Sequence, residues 1–192
     1  MEKDRLAAFT DGVLAVIITI MVLELHPPHG TGLTALLDLA PTFFSYVLSF
    51  LYVAIYWNNH HHLFQVVGRV NGLVMWANLH LLFWLSLIPF TTAWLSEHFS
   101  APVPAALYGF SLLMPAVAWY LLQHAIIRDQ GEPSVLARLL GRDVKGKISP
   151  ALYLAGMGAS FLHVWIADAL YAAVACLWLI PDRRIEGAVA RD

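Results

Sequence analysis

Three clusters of polar residues interrupt stretches that are otherwise apolar, and they are where this sequence offers chemistry. The first is Arg5 with Phe9-Thr10-Asp11-Gly12, followed by Thr19 and Glu24; the second is Asn58-Asn59-His60-His61-His62; the third is His163 with Asp168. A carboxylate beside histidines and amides can be satisfied in a buried network, or it can carry protons. Three adjacent histidines also invite a metal. Consecutive helical residues point about 100° apart, however, so His60, His61 and His62 cannot form a compact tridentate site while the segment stays helical. No Cys, Asp or Glu lies nearby to complete one, so a structural or interfacial role is expected. His80, with Trp76 and Trp84 at i, i+4 spacing, reads as packing, and His163 and Asp168 read as surface or capping groups.

Other chemistry finds no support. There is no Gly-rich phosphate loop, G-x-S-x-G elbow or H-E-x-x-H motif, and no carboxylate pair at usable spacing. A T-V-G-Y-G filter and an arginine-rich voltage sensor are absent as well. The chain therefore reads as a non-enzyme with no resident cofactor or fixed metal. The single Cys176 sits in an apolar run and reads as packing.

The elements that must position these residues follow from composition. Hydrophobic residues make up 59% of the 192 and charged residues 12%, with a mean hydropathy of +0.67. Soluble domains have about 45–50% apolar and about 25% charged residues, so 24 charged side chains cannot coat a soluble surface. The net charge of −2 argues against nucleic acid as a partner. An integral membrane protein of one domain remains, all-α, with lipid as its solvent.

A bilayer core of roughly 30 Å needs about 20 apolar residues per helix. Spans are expected at about 9–25, 41–57, 73–95 and 105–127. The apolar stretch Ile148–Ile180 is too long for one crossing, so a tight pair is expected at 148–162 and 165–180. The eleven Lys and Arg fall at Lys3 and Arg5, at Arg69, in the segment Arg128–Lys147, and at Arg183, Arg184 and Arg191. Alternate connections are thus basic and free of basic residues, the positive-inside pattern. Six helices with both termini cytoplasmic fit all eleven; five would place Arg183 and Arg184 outside. The Arg128–Lys147 segment is expected to lie on the cytoplasmic surface. Leu23-Glu24-Leu25-His26 lacks the small residues of a signal-peptide cleavage site, so the first span is expected to be retained.

On a helical wheel of the first span, Ile20 and Leu23 lie within about 40° of Val16, and Thr19 borders that stripe at about 60°. Asp11 lies about 140° away. If one face meets water or a symmetry axis, the other meets neighbouring helices. Asp11 sits at the same depth as the His60–His62 run and can pair with it, or it can simply favour the helix N-terminus; the two are compatible. Acidic Glu24, Asp38 and Glu97 mark the opposite side, either as a cation-attracting mouth or as ordinary loop residues.

The run Arg5-x-x-x-Phe9-Thr10-Asp11-Gly12, continuing through Thr19 and Met21-Val22-Leu23-Glu24-Leu25, closely resembles the first helix of prokaryotic relatives of transmembrane protein 175, a lysosomal and endosomal potassium channel. The likeness continues in Tyr56–Phe64, in Asn78-Leu79, in Leu87–Phe90 and in Ile180–Arg184. Thr10 stands where that family usually has serine. The resemblance implies a potassium-preferring cation channel of the single-repeat, homotetrameric group. Its first helices line a central pore without a re-entrant filter loop. The constriction then falls on Val16, Ile20 and Leu23, with permeant potassium near a ring of Thr19 and with Glu24 at the mouth. Phe9, Thr10 and Asp11 form a packing centre together with Arg5, His60 and His61. Two rival readings are a proton-linked transporter or proton leak using Asp11 and His60–His62, and a non-transporting oligomeric scaffold. The implied partners are membrane lipid and further copies of the chain.

Overall fold

The computed structural model describes residues 2–130 apart from 66 and 69, and residues 144–179. Among them no strand occurs, and eight helices follow one another: α1 (Lys3–Leu23), α2 (Leu33–Leu37), α3 (Ala40–Gln65), α4 (Gly72–Leu85), α5 (Ile88–Glu97), α6 (Pro102–Gln130), α7 (Val144–Ser160) and α8 (Val164–Leu179). Four segments are long and apolar enough to cross a membrane: Lys3–Leu23, Ala40–Gln65, Gly72–Glu97 and Pro102–Gln130. Part of the Arg128–Lys147 connection, residues 131–143, and the charged tail from 180 onward lie outside the described residues.

Helix ends and lipid edges do not coincide. Hydropathy places the second span at 41–57, yet α3 runs on to Gln65. Its last turns stay helical because His60, Leu63 and Phe64 are buried, and the His60 ring stacks on Phe64 with centroids 4.2 Å apart. Likewise α1 begins at Lys3, six residues ahead of its apolar run, and Leu6 is already in the core. The third span is two helical pieces. Pro89 sits in the first turn of α5, where its missing N–H and its ring interrupt the helical ladder. The interruption is dressed by hydroxyls: Ser86 Oγ donates to Phe83 O at 2.7 Å and Thr92 Oγ1 to Ile88 O at 2.7 Å. α4 is capped by Asn71, whose side chain accepts from Val74 N at 2.9 Å.

Two apolar clusters hold the bundle. One joins α1, the end of α3, α4 and α6 through Leu14, Ile17, Met21, Val53, Leu81, Leu85 and Leu122. The other joins the first half of α3, the start of α6, α7 and α8 through Tyr52, Tyr108, Tyr153 and Tyr171. Between them α6 packs against α4 on one side and α7 on the other. Buried hydroxyls connect the layers, as polar groups in lipid must find internal partners. Ser49 Oγ lies 2.7 Å from Thr92 Oγ1 and 2.9 Å from Tyr108 Oη. Tyr52 Oη donates to Tyr171 O at 2.6 Å. Gly109 and Gly156 permit a close helix approach here, because a Cβ at either would collide with the Tyr171 ring or hydroxyl.

Asp168 departs from its reading as a surface or capping group. It is 2% exposed, and neither carboxylate oxygen has a hydrogen-bond partner among the described residues. The outer surface carries Phe43, Phe44, Trp76, Phe83, Phe90 and Trp165 exposed, far more apolar area than a water-facing protein shows.

Candidate pore-lining face of the first helix

α1 has two faces. Leu6, Thr10, Leu14, Ile17 and Met21 recur every three or four residues and are buried against the bundle. The opposite side is uncovered: Val16 is 57% exposed, Ile20 43% and Leu23 71%. Gly12, Thr19 and Glu24 share that exposure, and nothing approaches within 4 Å of a Cβ built at Gly12. Thr19 Oγ1 donates to Ala15 O at 2.8 Å. Its proton is therefore spent within the helix, and its oxygen lone pairs remain for a donor or a cation.

The buried face is pinned by a polar chain across three helices. His60 Nε2–H donates to Asn78 Oδ1 at 2.9 Å, Asn78 Nδ2 donates to Thr10 Oγ1 at 2.9 Å, and Thr10 Oγ1 donates to Leu6 O at 3.0 Å. All three side chains are 2% exposed or less, so each is fully committed to its partners.

Asp11 is not in that chain. It is exposed, and its Oδ1 accepts from Trp57 Nε1 at 2.9 Å. Trp57 in turn stacks on His61, with centroids 6.1 Å apart, and His61 Nε2 accepts from Gln65 Nε2 at 3.0 Å. Phe9 is 53% exposed, and Arg5 is exposed too. A histidine and an amide do meet the Thr10-Asp11 turn, but the amide is Asn78 of α4 and the group it meets is Thr10. The signal was present: Asn78 is a lone carboxamide within the apolar run of the third span. His80 accepts from Trp84 Nε1 at 2.8 Å, and among the described residues no group of three His, Cys, Asp or Glu is placed to hold a metal.

The family model of the endosomal/lysosomal potassium channel TMEM175 matches residues 5–89, the stretch that holds every contact just described around α1. A Chryseobacterium protein named as a potassium channel is 52% identical over 192 residues, covering all of both chains. This chain belongs to the TMEM175 family. A crystal structure of a lysosomal potassium-selective channel TMEM175 homologue from Chamaesiphon minutus superposes with a TM-score of 0.82 at 30% identity, covering 93% of this chain and 97% of that one. Mouse TMEM175, named an endosomal/lysosomal proton channel, is 30% identical over 47% of this chain and 19% of its own length. As a TMEM175-family member with several long apolar helices, the chain is a multi-pass membrane protein.

Proposed function

We propose that this protein is a potassium-preferring cation channel, a homotetramer in which α1 of each subunit lines a central pore. The observation that carries this reading is the uncovered stripe of Val16, Thr19, Ile20 and Leu23 on a helix whose other face is firmly seated. Four such stripes around an axis make rings of apolar side chains on successive turns. Narrow apolar rings dewet and stop ions; wider ones let hydrated cations through. The Thr19 oxygens stand in for water of hydration between the rings, and Glu24 draws cations to the mouth. With no carbonyl filter, preference for potassium over sodium is modest.

In this reading the single domain has six spans, α7 and α8 forming the last pair, and the positive-inside pattern puts both termini in the cytoplasm. Its crystal-structure neighbour is titled potassium-selective and its Chryseobacterium relative is named a potassium channel, which favours potassium as the permeant ion. A proton route through Asp11 and the histidines finds less support. Asp11 is engaged by Trp57, and the chain from His60 ends on the carbonyl of Leu6.

The test is flux from liposomes holding the purified protein, comparing potassium, sodium and protons. Ile20→Asn or Leu23→Asn should raise potassium flux about tenfold, equivalent to ~1.4 kcal/mol off the barrier. Unchanged flux in both variants overturns the pore assignment. An intact tetramer that moves no cation favours the scaffold reading instead.

A further inference from the structure

A cavity of about 680 Å³ opens between α3, α6, α7 and the end of α8, and α1 contributes none of its lining residues. That volume lies within the roughly 300–1,000 Å³ typical of ligand sites. Its inner walls are aromatic: Tyr56 packs edge-on to Trp119 with centroids 6.1 Å apart, and Tyr153 is buried behind them. The α7–α8 side is braced by Trp178 Nε1 donating to Ser149 Oγ at 2.9 Å, and by Ser149 Oγ donating to Lys145 O at 2.8 Å.

The rim is different. Tyr120, His124 and Lys147 are exposed there, next to the nearly buried Gln123. His124 Nδ1–H donates to Tyr120 O at 2.8 Å, which leaves Nε2 as the ring nitrogen available to a ligand; it donates to an anion in the protonated ring, where both nitrogens carry N–H. None of the described lining residues is acidic. The rim also lies at the end of the bundle where the last turn of α6 carries Arg128 beside Asp129 and the first turn of α7 carries Lys145 and Lys147. A cationic rim above an aromatic slot, at the basic end of a membrane-spanning bundle, matches an anionic headgroup with its acyl chain. Basic pockets between transmembrane helices hold anionic lipid headgroups for this reason.

We propose that this cavity is a binding site for an anionic phospholipid, with its phosphate at Lys147, His124 and Gln123 and one acyl chain against Tyr56, Trp119 and Tyr153. The lipid wedges between α6 and α7, two of the most extensively packed neighbours in the fold, and so bears on how the two halves of the bundle sit together.

Native mass spectrometry of the purified protein, titrated with dioleoylphosphatidylglycerol, dioleoylphosphatidylcholine or oleate, tests this. Phosphatidylglycerol should be retained in preference to phosphatidylcholine. Lys147→Gln should weaken its retention about fivefold, the factor that ~1 kcal/mol per basic residue at an anionic surface provides, and Lys147→Arg should restore it. Ala116→Phe, which fills the slot from α6, should abolish retention at the native melting temperature. Equal retention of the two phospholipids overturns the headgroup assignment, and retention that survives Ala116→Phe overturns the location. Oleate displacing phosphatidylglycerol at equal concentration overturns the phospholipid in favour of a free fatty acid. Lys147 is exposed, so its variants report on binding without threatening the fold.

Discussion

Replacing Asn78 should unseat the first helix, and the size of the effect can be worked from its contacts. Asn78 is 0% exposed; it accepts from His60 of α3 and donates to Thr10 of α1, both at 2.9 Å. Interhelical hydrogen bonds within membranes contribute roughly 0.6 kcal/mol each on average and up to about 1.7. The two bonds therefore amount to about 1–3 kcal/mol. Asn78→Ala also leaves the His60 donor stranded at 2% exposure and opens a small void, which brings the loss to about 2–4 kcal/mol. Thr10→Val removes both bonds of that hydroxyl, the one accepted from Asn78 and the one donated to Leu6 O, and should cost about 1–2 kcal/mol, while Thr10→Ser keeps the hydroxyl and should cost almost nothing. The assay is reversible unfolding in mixed micelles titrated with denaturing detergent, arranged as a double-mutant cycle. His60→Phe keeps an aromatic ring against Phe64 and deletes only the polar partner. If the chain is real, His60→Phe and Asn78→Ala together cost less than their sum by at least about 0.6 kcal/mol. Strict additivity, or an Asn78→Ala loss below about 0.5 kcal/mol, would refute the network. Potassium flux provides a second readout, because in the proposed pore a loosened α1 changes the spacing of the Val16, Ile20 and Leu23 rings.

Two other expectations concern the second core cluster. Gly109→Ala drives a methyl into the Tyr171 hydroxyl and the Met157 side chain and should cost about 1–3 kcal/mol. Tyr171→Phe in the same chain should recover part of that, whereas an undiminished loss would show that the clash lies elsewhere. Asp168→Asn should raise the melting temperature in detergent, since it removes a buried, unpartnered carboxylate whose charged form costs several kcal/mol to bury; a fall would reveal a partner for the carboxylate.

The four long apolar segments are legible because hydropathy is a long-range sum, and single polar residues do not erase it. The Gly72–Glu97 span stands out in this way despite Asn78, His80 and Pro89. What hydropathy misses is whatever depends on a partner far away in sequence. The last turns of α3 lie beyond the span that hydropathy marks, and what seats them is His60 packed on Phe64 and bonded to Asn78. Asp168 looks like an exposed group beside an outer turn, and only the helices folded around it make it buried. Asp11 was matched to the correct end of α3 by depth alone. Depth does not choose among neighbours there, and the indole of Trp57 reaches the carboxylate first.

The first helix poses a harder problem, because a stripe of Val16, Ile20 and Leu23 would suit lipid as well as a pore. The remaining uncovered faces offer a comparison within the same molecule. On α3 the exposed apolar residues include Phe43, Phe44 and Phe50, and on α4 and α5 they include Trp76, Phe83 and Phe90. Large aromatics of this kind fill space against mobile acyl chains. Below Phe9, the uncovered face of α1 carries no aromatic residue; it runs Gly12, Ala15, Val16, Thr19, Ile20 and Leu23. Small and medium side chains let helix backbones approach one another, and four copies of a narrow helix can meet around an axis where four aromatic-faced helices cannot. The hydroxyl of Thr19 points the same way. Its internal bond to Ala15 O makes it harmless in lipid, but the oxygen it leaves uncovered gains a use only where cations or water pass. The face of α1 therefore differs from the aromatic-bearing faces of α3, α4 and α5 in the respects the proposed shared pore requires.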